Sequence, residues 1–392
     1  MRNWWRHPSA AWAFLFLNGI AFDVFASVSQ RNFVDPVSGD SVAPRILQQI
    51  EASTDSLKED VTAEWKALTG MPFAFYTPET SLGAGYLTFY KFDPKEKNRI
   101  STLLTTLSYT VKNQSLLTIT PKLYYDDGKR ELHSNIAFSN YPTKFYGLSN
   151  APASEPEEFK EKYLQAFLQA GVEFSDHLYL RSAIHREFRE ISEADSDPLL
   201  QQFIAIQGKS VSMNAFHVSL EFDDRDFPPA PFSGKWIRLL YYVGFPDRTE
   251  RFYRPEVDLR FYRKLSDQWV GAVQATASDI RSSSWVPFQF LNSLGGGNRL
   301  RGIYTTELRN NSLALVQSEL RYILYPRWEI NGFLGVGRMA TDLETLQSDR
   351  DHWVTGLGLH FLFDPQSRTK MRIELGFSDS SPKLYFLVGE AF

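Results

Sequence analysis

The stretch Met371-Arg372-Ile373-Glu374-Leu375-Gly376-Phe377-Ser378 decides the fold. Met371, Ile373, Leu375 and Phe377 alternate with Arg372, Glu374, Gly376 and Ser378, and a period of two belongs to a β-strand whose successive side chains point to opposite faces. One face is apolar and the other carries full charges. A soluble sheet buries its apolar face and wets its polar one, whereas a strand of a membrane-spanning barrel turns the apolar column to lipid and the ionic column to the lumen.

Working outward, the same pattern recurs from residue 71 to the end, in segments separated by clusters of Asp, Asn, Gly, Pro and Ser. The last five segments are 313–325, 329–338, 353–363, 371–378 and 383–392. Upstream, strands are predicted at 72–77, 81–92, 99–112, 115–126, 131–146, 162–175, 177–191, 209–223, 235–245, 253–265 and 267–279. The expected fold is therefore all-β, a transmembrane antiparallel β-barrel of about sixteen strands. An even count returns the chain to its starting side, so both termini are expected in the periplasm.

Composition agrees with this. Aromatics make up 15% of the 392 residues while the mean hydropathy is only −0.31, as expected when every second side chain faces lipid and its neighbours face water. The net charge of −4 is spread along the chain, which removes the basic footprint of a nucleic-acid binder. There are no cysteines, hence no disulfide framework, thiolate metal site or cysteine nucleophile.

Residues 1–26 read as a signal peptide: Arg2 and Arg6 supply charge, 11–22 an apolar stretch, and Val24-Phe25-Ala26 a cleavage site. The apolar run is shorter than the ~20 residues a spanning helix needs. Residues 27–70 are expected to form a periplasmic segment with one amphipathic helix, on which Ile46, Ile50, Leu57, Val61 and Trp65 share a face. The barrel then occupies 71–392.

At the other end, Leu384, Phe386, Val388 and Phe392 fall on one face by period two, with Ala391 expected to face inward. The terminal segment resembles the C-terminal signal by which outer-membrane barrels are recognised by their assembly machinery, assigning that role to Phe386, Val388 and Phe392. Glu390 departs from it, since that position is normally apolar.

Two further stretches carry a more specific resemblance. Leu294-Gly295-Gly296-Gly297-Asn298-Arg299-Leu300-Arg301-Gly302-Ile303 lies in a long loop five strands from the end, and Asp223-Asp224-Arg225-Asp226-Phe227-Pro228-Pro229-Ala230-Pro231-Phe232-Ser233-Gly234 joins two strands. Together they resemble the bacterial surface antigen superfamily of BamA- and TamA-like assembly and translocation barrels. Met71 to Phe92 and Tyr146-Gly147-Leu148 resemble a short branch that lacks polypeptide-transport-associated domains. The resemblance implies that the loop folds into the lumen with Arg301 and Gly302 docked on the inner wall. It also implies a periplasmic turn built on Asp224, Arg225, Asp226 and Gly234. Ile303 stands where an aromatic is usual, and Gly335 where the family often has the acid that pairs with the loop arginine. Glu319, expected to face the lumen, is the substitute partner, and the pair is expected to be wetted by lumen water, with Arg321 competing for the carboxylate.

Catalysis is not expected. His217, Ser219 and Asp223 share a strand face, but alternate strand residues sit ~6.5–7 Å apart, too far for a direct Ser–His hydrogen bond. Neither cofactor nor metal is expected. The resemblance implies a non-enzymatic protein that assists insertion or translocation of proteins or lipids through a lateral seam between the first and last strands. A closed or plugged pore is the alternative, and an outer-membrane lipid hydrolase a third. Expected partners are outer-membrane lipids, the barrel-assembly machinery during biogenesis and a protein or lipid client, with no nucleic acid; oligomeric state is left open.

Overall fold

The computed structural model describes residues 68–77, 81–92, 101–148, 155–194, 198–364 and 368–392, all within one unit spanning Ala63–Phe392. The expected signal peptide, nearly all of segment 27–70 and the helix expected there lie outside the described residues, which begin with β1 at Leu68.

Sixteen long strands follow the alternation of the sequence. They are β1 (Leu68–Thr77), β2 (Ser81–Phe92), β3 (Ser101–Thr110), β4 (Ser115–Tyr125), β5 (Arg130–Phe145), β6 (Glu157–Ser175), β7 (Leu178–Ala194), β8 (Ser210–Asp223), β9 (Gly234–Pro246), β10 (Phe252–Lys264) and β11 (Trp269–Asp279), then β15 (Ser312–Tyr325), β16 (Trp328–Ala340), β17 (His352–Asp364), β18 (Thr369–Phe377) and β19 (Lys383–Val388). Between β11 and β15 the chain makes only the two-residue strands β12 (Arg281–Ser282), β13 (Asn292–Ser293) and β14 (Arg309–Asn310). Each long strand pairs antiparallel with the next. β1 and β19 come within 8 Å between Cα atoms, yet no ladder joins them among the described residues. The barrel is a continuous curved sheet with an unladdered seam.

The faces are inverted relative to a soluble sheet. On β15, Val316 and Leu320 are exposed while Gln317, Glu319 and Arg321 are buried; on β18, Ile373, Leu375 and Phe377 are exposed while Lys370, Arg372 and Glu374 are buried. Exposed Trp269 and Trp328 pack on Tyr322 and Phe361 at one end, as amphipathic rings do at a membrane–water boundary. At that end the connections are short. Two of them, after β6 and after β15, have only two residues, and in the turn after β4 Asp126, Asp127 and Gly128 all take positive φ.

The opposite end carries the long connections. The 280–311 loop folds into the barrel, burying Leu294, Leu300, Ile303 and Leu308 against Leu313, Leu315, Met339 and Val354 of the wall. Each buried Leu contributes about 1.5–3 kcal/mol. A helix not expected from the sequence, α1 (Pro198–Gln207), packs Leu200 and Ile204 on Phe145, Phe159, Ile191 and Phe288. Its first turn is anchored by Glu157, whose carboxylate accepts the Leu199 and Leu200 N–H groups at 3.0 and 2.7 Å.

The last strand differs from expectation. It stops at Val388, four residues early, because Gly389 takes φ +85° and turns the chain inward. Phe392 does not continue the lipid-facing column of Leu384 and Phe386. It is 4% exposed and clusters with Ala391, Tyr262 and Ala272.

Candidate functional site: the loop, the inner wall and the chain end

Arg301 is delivered to the wall by the apolar loop cluster beside it, and its side chain is wholly buried. Its Nη2 lies 2.6 Å from Glu319 Oε2 on β15 and its Nη1 lies 2.7 Å from Glu374 Oε1 on β18. The contact with Glu319 is a close ion pair without directed hydrogen-bond geometry, whereas Nη1 donates a directed hydrogen bond to Glu374. The guanidinium carbon sits 3.9 Å from the Phe333 ring centroid, a cation–π contact strengthened by burial. Glu319 therefore stands where the sequence placed it, but the pair has no exposed surface. Glu374 is the partner sequence reasoning missed: it stood in the ionic column, but periodicity cannot say which members of a column meet a loop.

The two departures noted in the sequence have packing reasons. Gly335 leaves room for Leu300, whose Cδ2 would sit 2.7 Å from a Cβ at that position, so a side chain there would have to displace the leucine. Ile303 is buried in the apolar cluster. Next to Arg301, Gly302 takes φ +127°, and a Cβ there would meet the Phe377 carbonyl oxygen at 2.9 Å. Only glycine accepts that conformation and approach at no cost. Its N–H donates to Tyr385 Oη at 2.9 Å, Tyr385 Oη donates to the Ile303 carbonyl at 3.1 Å, and Ser378 Oγ donates to the Gly302 carbonyl at 2.8 Å. The loop tip is thus fastened to β19, the strand that borders the seam.

From Arg301 the charges run on without a break. Arg321 donates from Nε to Glu319 at 2.6 Å and pairs through Nη2 with Glu390 at 3.2 Å; Lys370 reaches Glu329 and Glu390, each at 2.7 Å. Arg372 pairs with Glu374 at 2.9 Å, and His360 Nε2 lies 3.1 Å from the same carboxylate. Arg301, Arg321, Lys370 and Arg372 face Glu319, Glu329, Glu374 and Glu390, so cations and carboxylates match in number. Glu319, His360 and Glu390 offer ligand atoms within 4.8 Å of one another, but these carboxylates are already held by Arg301, Arg321 and Lys370. The donor set does not suit a metal ion.

The turn between β8 and β9 folds beneath this network. Arg225 forms a bidentate pair with Asp223 at 2.7 and 2.9 Å. Asp224 Oδ1 accepts the Lys235 N–H at 2.6 Å, and Gly234, at φ +102°, lies so close to Asp224 that a Cβ would stand 2.5 Å from its carbonyl oxygen. Asp226 Oδ1 accepts the Phe232 and Ser233 N–H groups at 2.9 and 3.1 Å and its Oδ2 lies 3.3 Å from Arg368, which stacks on Phe227 and Phe232. Partial burial raises the Asp226 pKa, but these hydrogen bonds and Arg368 outweigh it and hold the carboxyl below its usual range. Arg321 also donates to the Pro231 carbonyl at 3.3 Å, so turn and chain end meet at Arg321, which shares Glu319 with the loop's Arg301.

The residues considered for hydrolysis are not assembled. Ser219 donates to Glu221 at 2.8 Å, Asp223 is held by Arg225, and His217 stacks between Phe167 and Tyr242.

No family model matches the sequence, and no curated protein matches it. Solved structures do. BamA from Haemophilus ducreyi lacking POTRA domains 1–3 aligns over 82% of this chain and 69% of its own, with a TM-score of 0.56 at 12% identity. CdiB from Escherichia coli aligns over 84% and 62% (TM-score 0.57, 14% identity), and CdiB from Acinetobacter baumannii over 82% and 58% (TM-score 0.50, 12% identity). The chain spans about three fifths of the length of the two CdiB chains. The likeness establishes a shared barrel fold.

Proposed function

We propose that this chain is a bacterial outer-membrane barrel, with periplasmic termini, that assists insertion or translocation of a protein or lipid client through the seam between β1 and β19. The observation that carries the reading is the seam itself. Every other neighbouring pair of long strands is laddered, while the facing edges of β1 and β19 are not joined by a ladder among the described residues. Strand edges that no ladder joins to each other can template an incoming strand. In this reading Arg301, Gly302 and Glu319 lock the loop against the wall, and Asp224, Arg225, Asp226 and Gly234 shape the periplasmic turn. Residues 1–26 direct export, the segment expected over 27–70 lies in the periplasm as far as the start of β1 at Leu68, and Phe386, Val388 and Phe392 serve recognition by the assembly machinery.

A plugged barrel is the second reading, favoured by the 280–311 loop and α1, which pack together at the long-loop end. A disulfide engineered across β1 and β19 separates the two. In a strain lacking the protein, the oxidised form is expected to fail to restore outer-membrane composition until reductant is added. Full restoration with the crosslink confirmed, together with steady single-channel conductance in planar bilayers, would replace the gated reading by the plugged one.

A further inference from the structure

A second lumen feature lies away from Arg301. The inner wall of β5 to β7 and loop residues 304–309 enclose a cavity of about 350 Å³, within the ~300–1,000 Å³ of small-molecule sites. Ser139, Tyr141 and Thr143, alternate residues of β5, line it from the wall, and Thr305 and Thr306 line it from the loop. Residues that bear hydroxyls therefore face it from two sides. Tyr141 and Tyr304 add aromatic surface, which suits the C–H face of a small polar ligand while the hydroxyls suit its edge.

The charges along this cavity are unevenly matched. Arg189 Nη1 pairs with Glu161 Oε2 at 2.7 Å, and its Nε takes Glu187 as well, so this guanidinium is held by two carboxylates. Arg309, partly buried on the same cavity, donates from Nη1 to the Phe288 carbonyl at 3.2 Å and has no carboxylate within ion-pair distance among the described residues. Glu161 presents the opposite deficit, since its Oε1 is buried without a hydrogen-bond partner. A guanidinium withdrawn from bulk water without an anion and a buried carboxylate oxygen without a donor each cost free energy. Water supplies hydrogen bonds to both but no negative charge. A molecule with an anionic group and a hydroxyl meets both demands at once.

We propose that this cavity binds a hydroxylated anion of monosaccharide size, a sugar acid or a sugar phosphate. Arg309 takes the anionic group, Glu161 accepts a ligand hydroxyl, and Tyr141 and Tyr304 cover the C–H face of the ring. The site stands apart from the Arg301 network and does not depend on the transport role proposed above.

Calorimetric titration of the purified chain, in a detergent without a sugar headgroup, tests this. The probes are D-glucuronate, D-galacturonate and glucose 6-phosphate, with glucose and inorganic phosphate as controls. At least one of the first three should bind about tenfold or more tightly than glucose, which lacks the charge, and than phosphate, which lacks the hydroxyl-bearing ring. The tightest binder tells a carboxylate from a phosphate. Arg309→Gln should erase the preference over glucose. Ser139→Leu, which fills the cavity from the wall and leaves every charge in place, should abolish binding, and it decides alone if Arg309→Gln fails to fold. Binding by none of the three, binding matched by glucose or by phosphate, or a preference that survives either substitution in a folded barrel overturns the site. None of these readouts needs a transport client, so failure of the transport reading would leave the result standing.

Discussion

The two sides of the barrel obey the same alternation and spend it differently. On the side of β15 to β18, which receives the loop, Gln317, Glu319, Arg321, Asn331, Arg372 and Glu374 are all at most 3% exposed. On β6, the inward residues Glu161, Tyr163, Gln165, Phe167 and Gln169 are only partly buried. The loop covers the first wall and leaves the inward residues of β6 less buried. Ion pairs with similar distances therefore carry different weights: Arg301–Glu374 has no exposed surface, whereas Arg189–Glu161, also at 2.7 Å, leaves its side chains 21% and 12% exposed. Water screens the second and cannot reach the first.

The largest effect that would test this contrast is on the dry wall. Arg301→Ala strands Glu319 and Glu374 beside fewer cations, and breaking a fully buried pair on one side costs about 3–5 kcal/mol. The variant barrel should lose its folded gel mobility at a markedly lower temperature and expose the 280–311 loop to protease. Arg301→Lys should recover only part of this, because one ammonium cannot bridge two carboxylates and lie flat on Phe333. A variant as heat-resistant as wild type would show that the loop is held by its leucines alone.

On the wet wall the expected loss is small. Arg189→Ala should lower the heat-mobility temperature less than Arg301→Ala does, because its pair with Glu161 keeps some solvent access. A loss equal to that of Arg301→Ala would mean that this wall is as dry as the other, and the contrast would fall.

The smallest effect lies outside the barrel wall, in the turn between β8 and β9. A carboxyl whose folded pKa is depressed contributes stability that is present above its unfolded value and is lost as pH falls through the folded one. For Asp226 the window therefore opens only below about pH 4. Protease protection of the turn should be flat from neutral pH down to that point and then fall, and Asp226→Asn should remove the step. A transition near pH 6 would assign the turn's stability to another group.

Sequence alone determined the long strands and their inward and outward faces, because a period of two is a local property, while the docking of Arg301 and Gly302 and the choice of Glu319 were expectations that came from a family resemblance. It also marked Gly335, Ile303 and Glu390 as departures. What it left undecided is whatever depends on which inward residues meet across the lumen. Glu374, Phe333 and Tyr385 are unremarkable members of their strands until the loop arrives among them, and α1 is a short apolar stretch until Phe145 and Phe288 give it a surface to cover. The full burial of the Arg301 pair and the inward turn of the last four residues were likewise decided by the tertiary structure. Dryness belongs to the whole assembly, and Glu390 could leave the strand pattern only because Arg321 and Lys370, far apart from it or from each other in the chain, converge where it turns.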